Sequence, residues 1–331
     1  MPDQSRAPVR DVLVVGDINR DVLVRPDRPI ERGTDVPAQI RQRPGGAGAN
    51  VAVELGRLGT ATTLAGCVGA IDSTPISDLI RATGVQLALR ACGGLPTGTI
   101  VVIIDADGER SMASDRGANL ALTEADLPEA LIAEHRHLHV SGYTLLDPGT
   151  RAAAVSAIGR AQALGRTVSV DPASVAPLRG YGVEHFLSDI EGIDVLLPNA
   201  DEAHELSGFL DVEQAALCLA EQFPLVAVTC GAAGALWADR SGVLRRPSLA
   251  RRDHVMDTTG AGDAFTAGLL AAWLDGQSPT DCLDAGQRSA AAVVARWGAR
   301  EGRPSSRRSW CGSTNSGQHR NKTDRDGQGA G

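Results

Sequence analysis

Lysine is almost missing from this chain: of 32 Lys plus Arg in 331 residues, the single lysine is Lys322. A GxxxxGK[ST] phosphate loop and a protein-kinase site each place a lysine on nucleotide phosphates, so residues 1–300 hold neither. Any phosphate chemistry has to run on backbone amides, arginine and metal. Aromatic residues are also scarce at 3%, so the 43% hydrophobic content makes a core of Ala, Val and Leu. A chain of this length buries one large core, or a main domain with an appendage. Positive charge is in deficit: a formal net charge of −8 argues against nucleic acid as the main partner, because neutralising phosphates needs a basic face. The six cysteines, at 67, 92, 218, 230, 282 and 311, form no CxxC pair. That argues against a zinc site or a disulfide framework and for a reducing cytoplasm. No apolar run approaches the roughly 18 residues of a membrane span, and no signal peptide is visible.

What is present centres on Asp257 to Leu270, DTTGAGDAFTAGLL. A small turn (Thr259, Gly260, Ala261, Gly262) precedes Asp263 and an apolar helix over Ala264 to Trp273. Unpaired N–H groups at a helix start, with the positive end of its dipole, form an anion site. A carboxylate there repels the anion the amides attract. The combination is coherent if Asp263 takes a proton from a hydroxyl while the amides neutralise a phosphoryl group. An ordinary loop with Asp263 as a helix cap accounts for the stretch as well.

Along the chain, Val9 to Val15 reads as a buried parallel strand ending at Asp17, Asn19 and Asp21, placed to hold hydroxyls at a strand's carboxyl end or to serve turn chemistry. Two β-rich patches, Val22 to Arg43 and a hairpin from Thr97 to Asp105 returning through Arg110 to Ser114 with a turn at Asp107-Gly108, suggest a small separate sheet, a lid. Between them Gly45, Gly46 and Gly48 lead through Asn50 into a helix over Val51 to Leu58. Strand and helix then alternate: strands at His137 to Ser141, Thr167 to Asp171, Asp194 to Pro198 and Leu225 to Thr229, with helices near 150–164, 200–206, 212–222 and 279–296. This predicts an α/β fold with a mostly parallel central sheet. Asp171, Asn199 with Glu202, and Thr229 with Gly231 and Gly234 fall at one edge of that sheet. His135, His137 and His139 share a strand face and are expected to be structural or surface residues rather than metal ligands. Residues 301–331 contain no Leu, Ile, Val, Phe or Met and read as a disordered tail, with non-native sequence a second explanation.

Taken in order, these motifs resemble the ribokinase (PfkB) family of carbohydrate kinases. An amino-terminal signature matches at Gly45, Gly46, Gly48, Asn50, Ala52, Gly59 and Gly69, and a carboxy-terminal one at Asp257, Thr258, Gly260 to Asp263 and Ala267 to Leu270. Asn199 to Glu202 is similar to the family's NxxE element, and Thr229 to Gly234 to its TxGxxG loop. The resemblance implies a ribokinase-like three-layer sandwich over residues 1–300, with lid segments near 19–44 and 95–116. It also implies transfer of the γ-phosphoryl group of MgATP to a small carbohydrate hydroxyl. Asp263 would be the catalytic base and Gly260, Ala261 and Gly262 the anion hole. Asp17, Asn19, Asp21, Gly45, Gly46 and Asn50 would bind the acceptor. Asn199, Thr229, Gly231 and Gly234 would bind the nucleotide, and Asn199 and Glu202 would organise Mg²⁺ through water. Asp257 and Thr259 match the segment that serves K⁺ in some members, and a homodimer through the lid is an arrangement the family uses.

The chain also departs from the pattern. After Gly69 the usual acidic pair is replaced by Ala70-Ile71-Asp72; Tyr143 stands where ribokinase turns a glutamate to the sugar, and Gln287 where relatives flank adenine with histidine. Tyr143 puts ribose itself in doubt, the Gln287 change need not alter nucleotide choice, and a nucleoside kinase, which the family includes, is the alternative. A non-catalytic sugar- or nucleotide-binding protein is the reading from another class.

Overall fold

A computed structural model describes residues 10–105, 110–250 and 258–295. In chain order the first part runs β1 (Arg10–Val15), β2 (Asn19–Pro26), β3 (Ala38–Gly45), α1 (Ala47–Arg57), β4 (Thr62–Gly69), α2 (Ser73–Arg81), β5 (Gln86–Cys92), β6 (Gly98–Ile104) and β7 (Arg110–Asp115). The middle contains α3 (Glu129–Ala133), β8 (His135–Ser141), α4 (Gly142–Leu146), α5 (Arg151–Ala163), β9 (Thr167–Asp171), α6 (Val175–Tyr181), α7 (Val183–Asp189) and β10 (Val195–Leu196). The last part holds α8 (Ala200–Ser207), α9 (Val212–Ala220), β11 (Leu225–Thr229), β12 (Ala235–Asp239), β13 (Gly242–Arg246), α10 (Ala261–Leu274) and α11 (Pro279–Val294). By contacts the chain divides into units Met1–Glu301 and Gly302–Gly331, and the second lies outside the described residues.

Nine strands form one sheet in the order β13-β12-β11-β10-β9-β8-β1-β4-β5. All pairs from β11 to β5 are parallel, while β12 and β13 are antiparallel at the edge. Alternation along β1 separates two cores: Leu13 and Val15 pack with Ala154, Ala157 and Ile158 of α5 and Leu219 of α9, whereas Val12 and Val14 pack with Val51 and Leu55 of α1 and Phe265 and Leu269 of α10. That is the consequence of period-2 side chains in a strand covered on both faces. With helices on each side, the layering is that of a three-layer sandwich.

The second sheet has four strands in the order β3-β2-β6-β7, with β2 and β6 parallel and the outer pairs antiparallel. It is the lid that the two β-rich patches imply; the turn expected at Asp107-Gly108 lies outside the described residues.

Several boundaries differ from expectation. The glycine cluster is not a loop ahead of a helix, because α1 already starts at Ala47, with Gly46 at its N-cap at φ 97°. Likewise α10 begins at Ala261, so Ala261 and Gly262 form its first turn and Gly260 is a left-handed N-cap at φ 76°. Only glycine holds such φ values without strain. Strands β4, β5, β12 and β13 had no counterpart in the sequence reading. Every residue of β4 is buried, and its Thr, Ala, Gly and Cys content carries little strand signal.

Candidate functional site

The carboxyl ends of β1, β8, β9 and β11 converge on the start of α10. Asp263 is the third residue of that helix, and Asn50 of α1 donates from Nδ2 to its Oδ2 at 2.7 Å. Burial pushes the Asp263 carboxyl up to about 8, and the nearby charges of Asp171, Asp17 and Asp21 add to the rise while the Asn50 bond opposes it. A carboxyl poised there is matched to taking a proton near neutral pH. The Ala261 N–H donates to the Thr258 carbonyl at 3.2 Å, so the unspent amides of the helix start are those that follow it.

A cavity of about 430 Å³ opens on one side of this turn, lined by Thr229, Gly231, Gly234, Gln287 and Gly262 together with Ser248, Ala250, Phe265 and Ala290. Its shape depends on a tight bend after β11: the Cys230 N–H donates to the Gly234 carbonyl at 2.8 Å. Gly234 sits at φ 101°, where a Cβ would run into the Arg246 carbonyl.

A smaller cavity of about 120 Å³ is lined by Asp171, Ala173, Asn199, Glu202, Thr229, Gly262, Asp263 and Thr266. Thr229 and Gly262 line both cavities, so the two meet at the helix start. Asn199 and Glu202 form a reciprocal capping box on α8: the Glu202 N–H donates to Asn199 Oδ1 at 2.9 Å and the Asn199 N–H to Glu202 Oε2 at 2.9 Å. Capping accounts for their spacing, yet the pair also faces the cavity. Burial, reinforced by the charge of Asp171, raises Glu202 to about 8. Asp171 rises to about 6 through burial, against the Ala173 N–H that donates to its Oδ1 at 2.6 Å. Ala173 itself holds φ 71°, a costly backbone for a residue with a Cβ. Three carboxyls thus crowd one cavity with no cationic side chain in its lining. An oxygen-rich, hard-donor set of this kind fits Mg²⁺.

On the other side of Asp263 lies a polar cluster. Asn19 donates to Asp17 Oδ2 at 2.8 Å, and the Gly48 N–H and Ser141 hydroxyl reach Asp17 Oδ1 at 3.3 and 3.4 Å. Asn119, which the sequence reading missed, donates to Asn19 Oδ1 at 2.8 Å and clamps Ile18 by both of its backbone groups. Arg116, also missed, lies 3.5 Å from Asp17 Oδ2 and 2.8 Å from Asp147, with its guanidinium 4.9 Å from the Tyr143 ring centre. Tyr143 lies in α4, and burial with the charges of Asp17 and Asp171 raises its hydroxyl to about 12. Gly45 lies against the Asp21 carboxylate and Gly46 against the Asp17 carbonyl, with no room for a Cβ at either. Neither Asn119 nor Arg116 sits in a motif, and only the fold brings them to Asp17.

Of the residues singled out from sequence, Thr229, Gly231, Gly234, Ala261, Gly262 and Gln287 line the larger cavity and Asn199, Glu202, Thr229, Gly262 and Asp263 the smaller, while Asp17, Asn19, Asp21, Gly45, Gly46, Asn50 and Tyr143 belong to the polar cluster near Asp263 and Gly260 is the N-cap of α10. Thr259 precedes α10, while Asp257 lies outside the described residues. The three histidines are buried on one face of β8 and bonded to Thr63, Thr167 and Ser169. Among the described residues no cluster of three or more His, Cys, Asp or Glu is arranged to hold a metal by itself, and no helix is long and apolar enough to cross a membrane.

Comparison with known proteins agrees with this geometry. Residues 9–306 match the pfkB family carbohydrate kinase. The chain is 31% identical over 292 residues to an ATP-dependent ribose-1-phosphate kinase of Halopiger xanaduensis, covering 87% of this chain and 93% of that protein. It is 32% identical over 268 residues to a fructokinase of Klebsiella pneumoniae, covering 77% of this chain and 84% of the other. Among solved structures, adenosine kinase from Sinorhizobium meliloti superposes with a TM-score of 0.81 at 26% identity, over 88% of this chain and 96% of that one. The chain belongs to the pfkB family of carbohydrate kinases, phosphotransferases that use ATP and an alcohol acceptor.

Proposed function

We propose that this kinase phosphorylates a hydroxyl of a small sugar, with Asp263 as the general base. The carrying observation is a carboxyl in the first turn of a helix, raised to about 8, bonded to Asn50 and lining the smaller cavity, next to Gly262, which lines both. Asp17, Asn19 and Asp21, positioned by Asn119 and Gly45, hold the acceptor hydroxyls. Thr229, Gly231 and Gly234 line the nucleotide site, and Gln287 offers its amide to the base. Asp263 accepts the hydroxyl proton as the oxygen attacks the γ-phosphorus in line, and the amides of Gly262 and Asp263 receive the charge that gathers on the phosphoryl oxygens. Asp171, Glu202 and Asn199 are the residues to hold Mg²⁺, largely through water. When bound, the ion neutralises phosphate charge and relieves the repulsion among these carboxyls. Thr259, with Asp257, is the place for K⁺.

The lid closes over the acceptor and excludes water. Its Val22, Val24, Ile40, Val101 and Ile103 share one face, with Ile40 61% exposed, which suits pairing with the lid of a second copy. A nucleoside acceptor is the second reading, favoured by the superposition on an adenosine kinase. A coupled ADP-release assay over sugars, sugar phosphates and nucleosides decides between them: turnover on sugars supports the first reading, and turnover on nucleosides alone overturns it.

A further inference from the structure

Arg116 lies where the lid returns to the main sheet. It follows β7 directly and precedes the short helix Gly117–Ala121 that carries Asn119. The backbone there is pinned: the Gly117 N–H donates to Asp115 Oδ1 at 3.0 Å, the Ala118 N–H to the Pro96 carbonyl at 2.8 Å and the Asn119 N–H to the Arg116 carbonyl at 3.1 Å. Gly117 holds φ 49°, and a Cβ on it would run into the Pro96 carbonyl. From that fixed point the side chain reaches three groups. Nε donates to Asp147 Oδ2 at 2.8 Å, Nη1 stands 3.5 Å from Asp17 Oδ2, and the guanidinium lies over the Tyr143 ring, 4.9 Å from its centre. A planar guanidinium can rest on a ring and still donate from its edge, whereas a lysine ammonium offers no such plane.

Its donors are only partly used. Among the described residues the Nε–H alone makes a hydrogen bond, and the N–H groups of Nη1 and Nη2 make none, although the side chain is only 18% exposed. A charged group withdrawn from water to that extent costs stability unless its donors find acceptors. Tyr143 is in the same position: its hydroxyl makes no hydrogen bond among the described residues and, pushed up to about 12 by burial, keeps its proton. Both side chains therefore offer donors beside the Asp17 carboxylate, and an acceptor held at Asp17 brings oxygens to them. The oxygen that suits Arg116 is uncharged. Two carboxylates, Asp17 and Asp147, already face this guanidinium, so a phosphate or carboxylate brought to it meets net negative charge. A hydroxyl satisfies both sides, because it donates to Asp17 and accepts from Arg116.

We infer that Arg116 is a specificity-determining residue whose Nη groups donate to an acceptor hydroxyl bound at Asp17, and that it selects an uncharged, hydroxyl-bearing acceptor. The inference deepens the proposed function and rests on the acceptor being held at Asp17.

The test is a mutation-by-substrate cycle on the full chain. D-ribose, D-fructose, adenosine and ribose 1-phosphate are assayed with wild type, and the uncharged acceptor that turns over is then compared with its monodeoxy analogues in wild type, Arg116→Ala and Arg116→Lys. Arg116→Ala should raise the acceptor KM about 10- to 100-fold and leave the ATP KM in place. The deoxy analogue that loses most with wild type should lose several-fold less with Arg116→Ala, because the partner of the missing hydroxyl has already gone. Arg116→Lys keeps the charge without the planar fork, so it should show the same non-additivity with a smaller KM change, and it carries the cycle where the alanine variant is unstable. Losses that multiply strictly at every hydroxyl would overturn the contact and reduce Arg116 to a tie between the lid and Asp147. Turnover on ribose 1-phosphate alone would overturn the uncharged class. Asp17→Asn separates this inference from the reading beneath it. An unchanged acceptor KM in Asp17→Asn removes the acceptor from Asp17 and takes the inference with it, whereas a raised KM there beside an unchanged one in Arg116→Ala overturns Arg116 alone.

Discussion

Removing the Asn50 amide from Asp263 should move the pH dependence of catalysis without abolishing it. The bond at 2.7 Å favours the ionised carboxylate and counteracts a rise caused by burial and by Asp171. A hydrogen bond to a charged group contributes about 1.5–3 kcal/mol. At about 1.4 kcal/mol per pH unit, its loss raises the Asp263 pKa by roughly 1–2 units. A base with a pKa of about 8 is roughly one-tenth ionised at pH 7, and the shift leaves about a tenth to a hundredth of that fraction. Asn50→Ala should therefore lower kcat/KM at pH 7 about 10- to 100-fold and recover most of it near pH 10. Asp171→Asn removes a charge that raises Asp263 and should move the same limb to lower pH, whatever it does to the maximum. The assay is the pH profile of kcat/KM in a coupled ADP-release reaction, with a coupling system checked across the range. A loss in Asn50→Ala that is uniform in pH would refute the reasoning and reduce Asn50 to a contact with the acceptor.

Three further outcomes follow from the structure. Asn119→Ala removes the clamp on Ile18 and Asn19 and should raise the acceptor KM with little change for ATP, checked by steady-state kinetics with each substrate varied. Gly234→Ala, at φ 101° and against the Arg246 carbonyl, should cost at least about 1–3 kcal/mol in backbone strain and weaken ATP binding, measured by urea unfolding and calorimetry. The buried His139 has its pKa lowered to about 3 by desolvation, so the unfolded chain binds a proton that the folded chain refuses as pH falls below about 6.5. Its stability contribution is intact above that pH and erodes below it, by about 2 kcal/mol at pH 5. Because Asp263 and Glu202 titrate in the opposite sense, the measurement is the stability gap between wild type and His139→Gln, which should shift by that amount against the wild type from pH 7.5 to pH 5 and should not stay constant.

What was readable in the sequence is what is local. The run before Asp17, the NxxE spacing of Asn199 and Glu202, and the glycines of 45–48 and 260–262 each encode a backbone event within a few residues, so the ends of β1, β8, β9 and β11, the start of α8 and the small second sheet were legible. The boundaries slipped where a glycine serves inside a first helical turn, as at Gly48 and Gly262, because glycine signals a loop until packing decides. Strands β4 and β12 were missed since burial on both faces, not propensity, makes them strands. Asn119 and Arg116 lie about a hundred residues from Asp17 in the chain and belong to no motif; only the crossing of β6 back to β2 brings them together. The capping box at Asn199 shows that one spacing can satisfy a helix end and line a cavity together.

The most direct measurement is turnover of Asp263→Asn, made alongside calorimetric titration with MgATP and assayed with whichever acceptor the wild type phosphorylates. General-base action requires kcat to fall by about 100- to 10,000-fold while ATP affinity stays within a few-fold of wild type. Turnover within a few-fold of wild type would show that the proton leaves by another route and that Asp263 serves only as an acidic residue in the first turn of its helix.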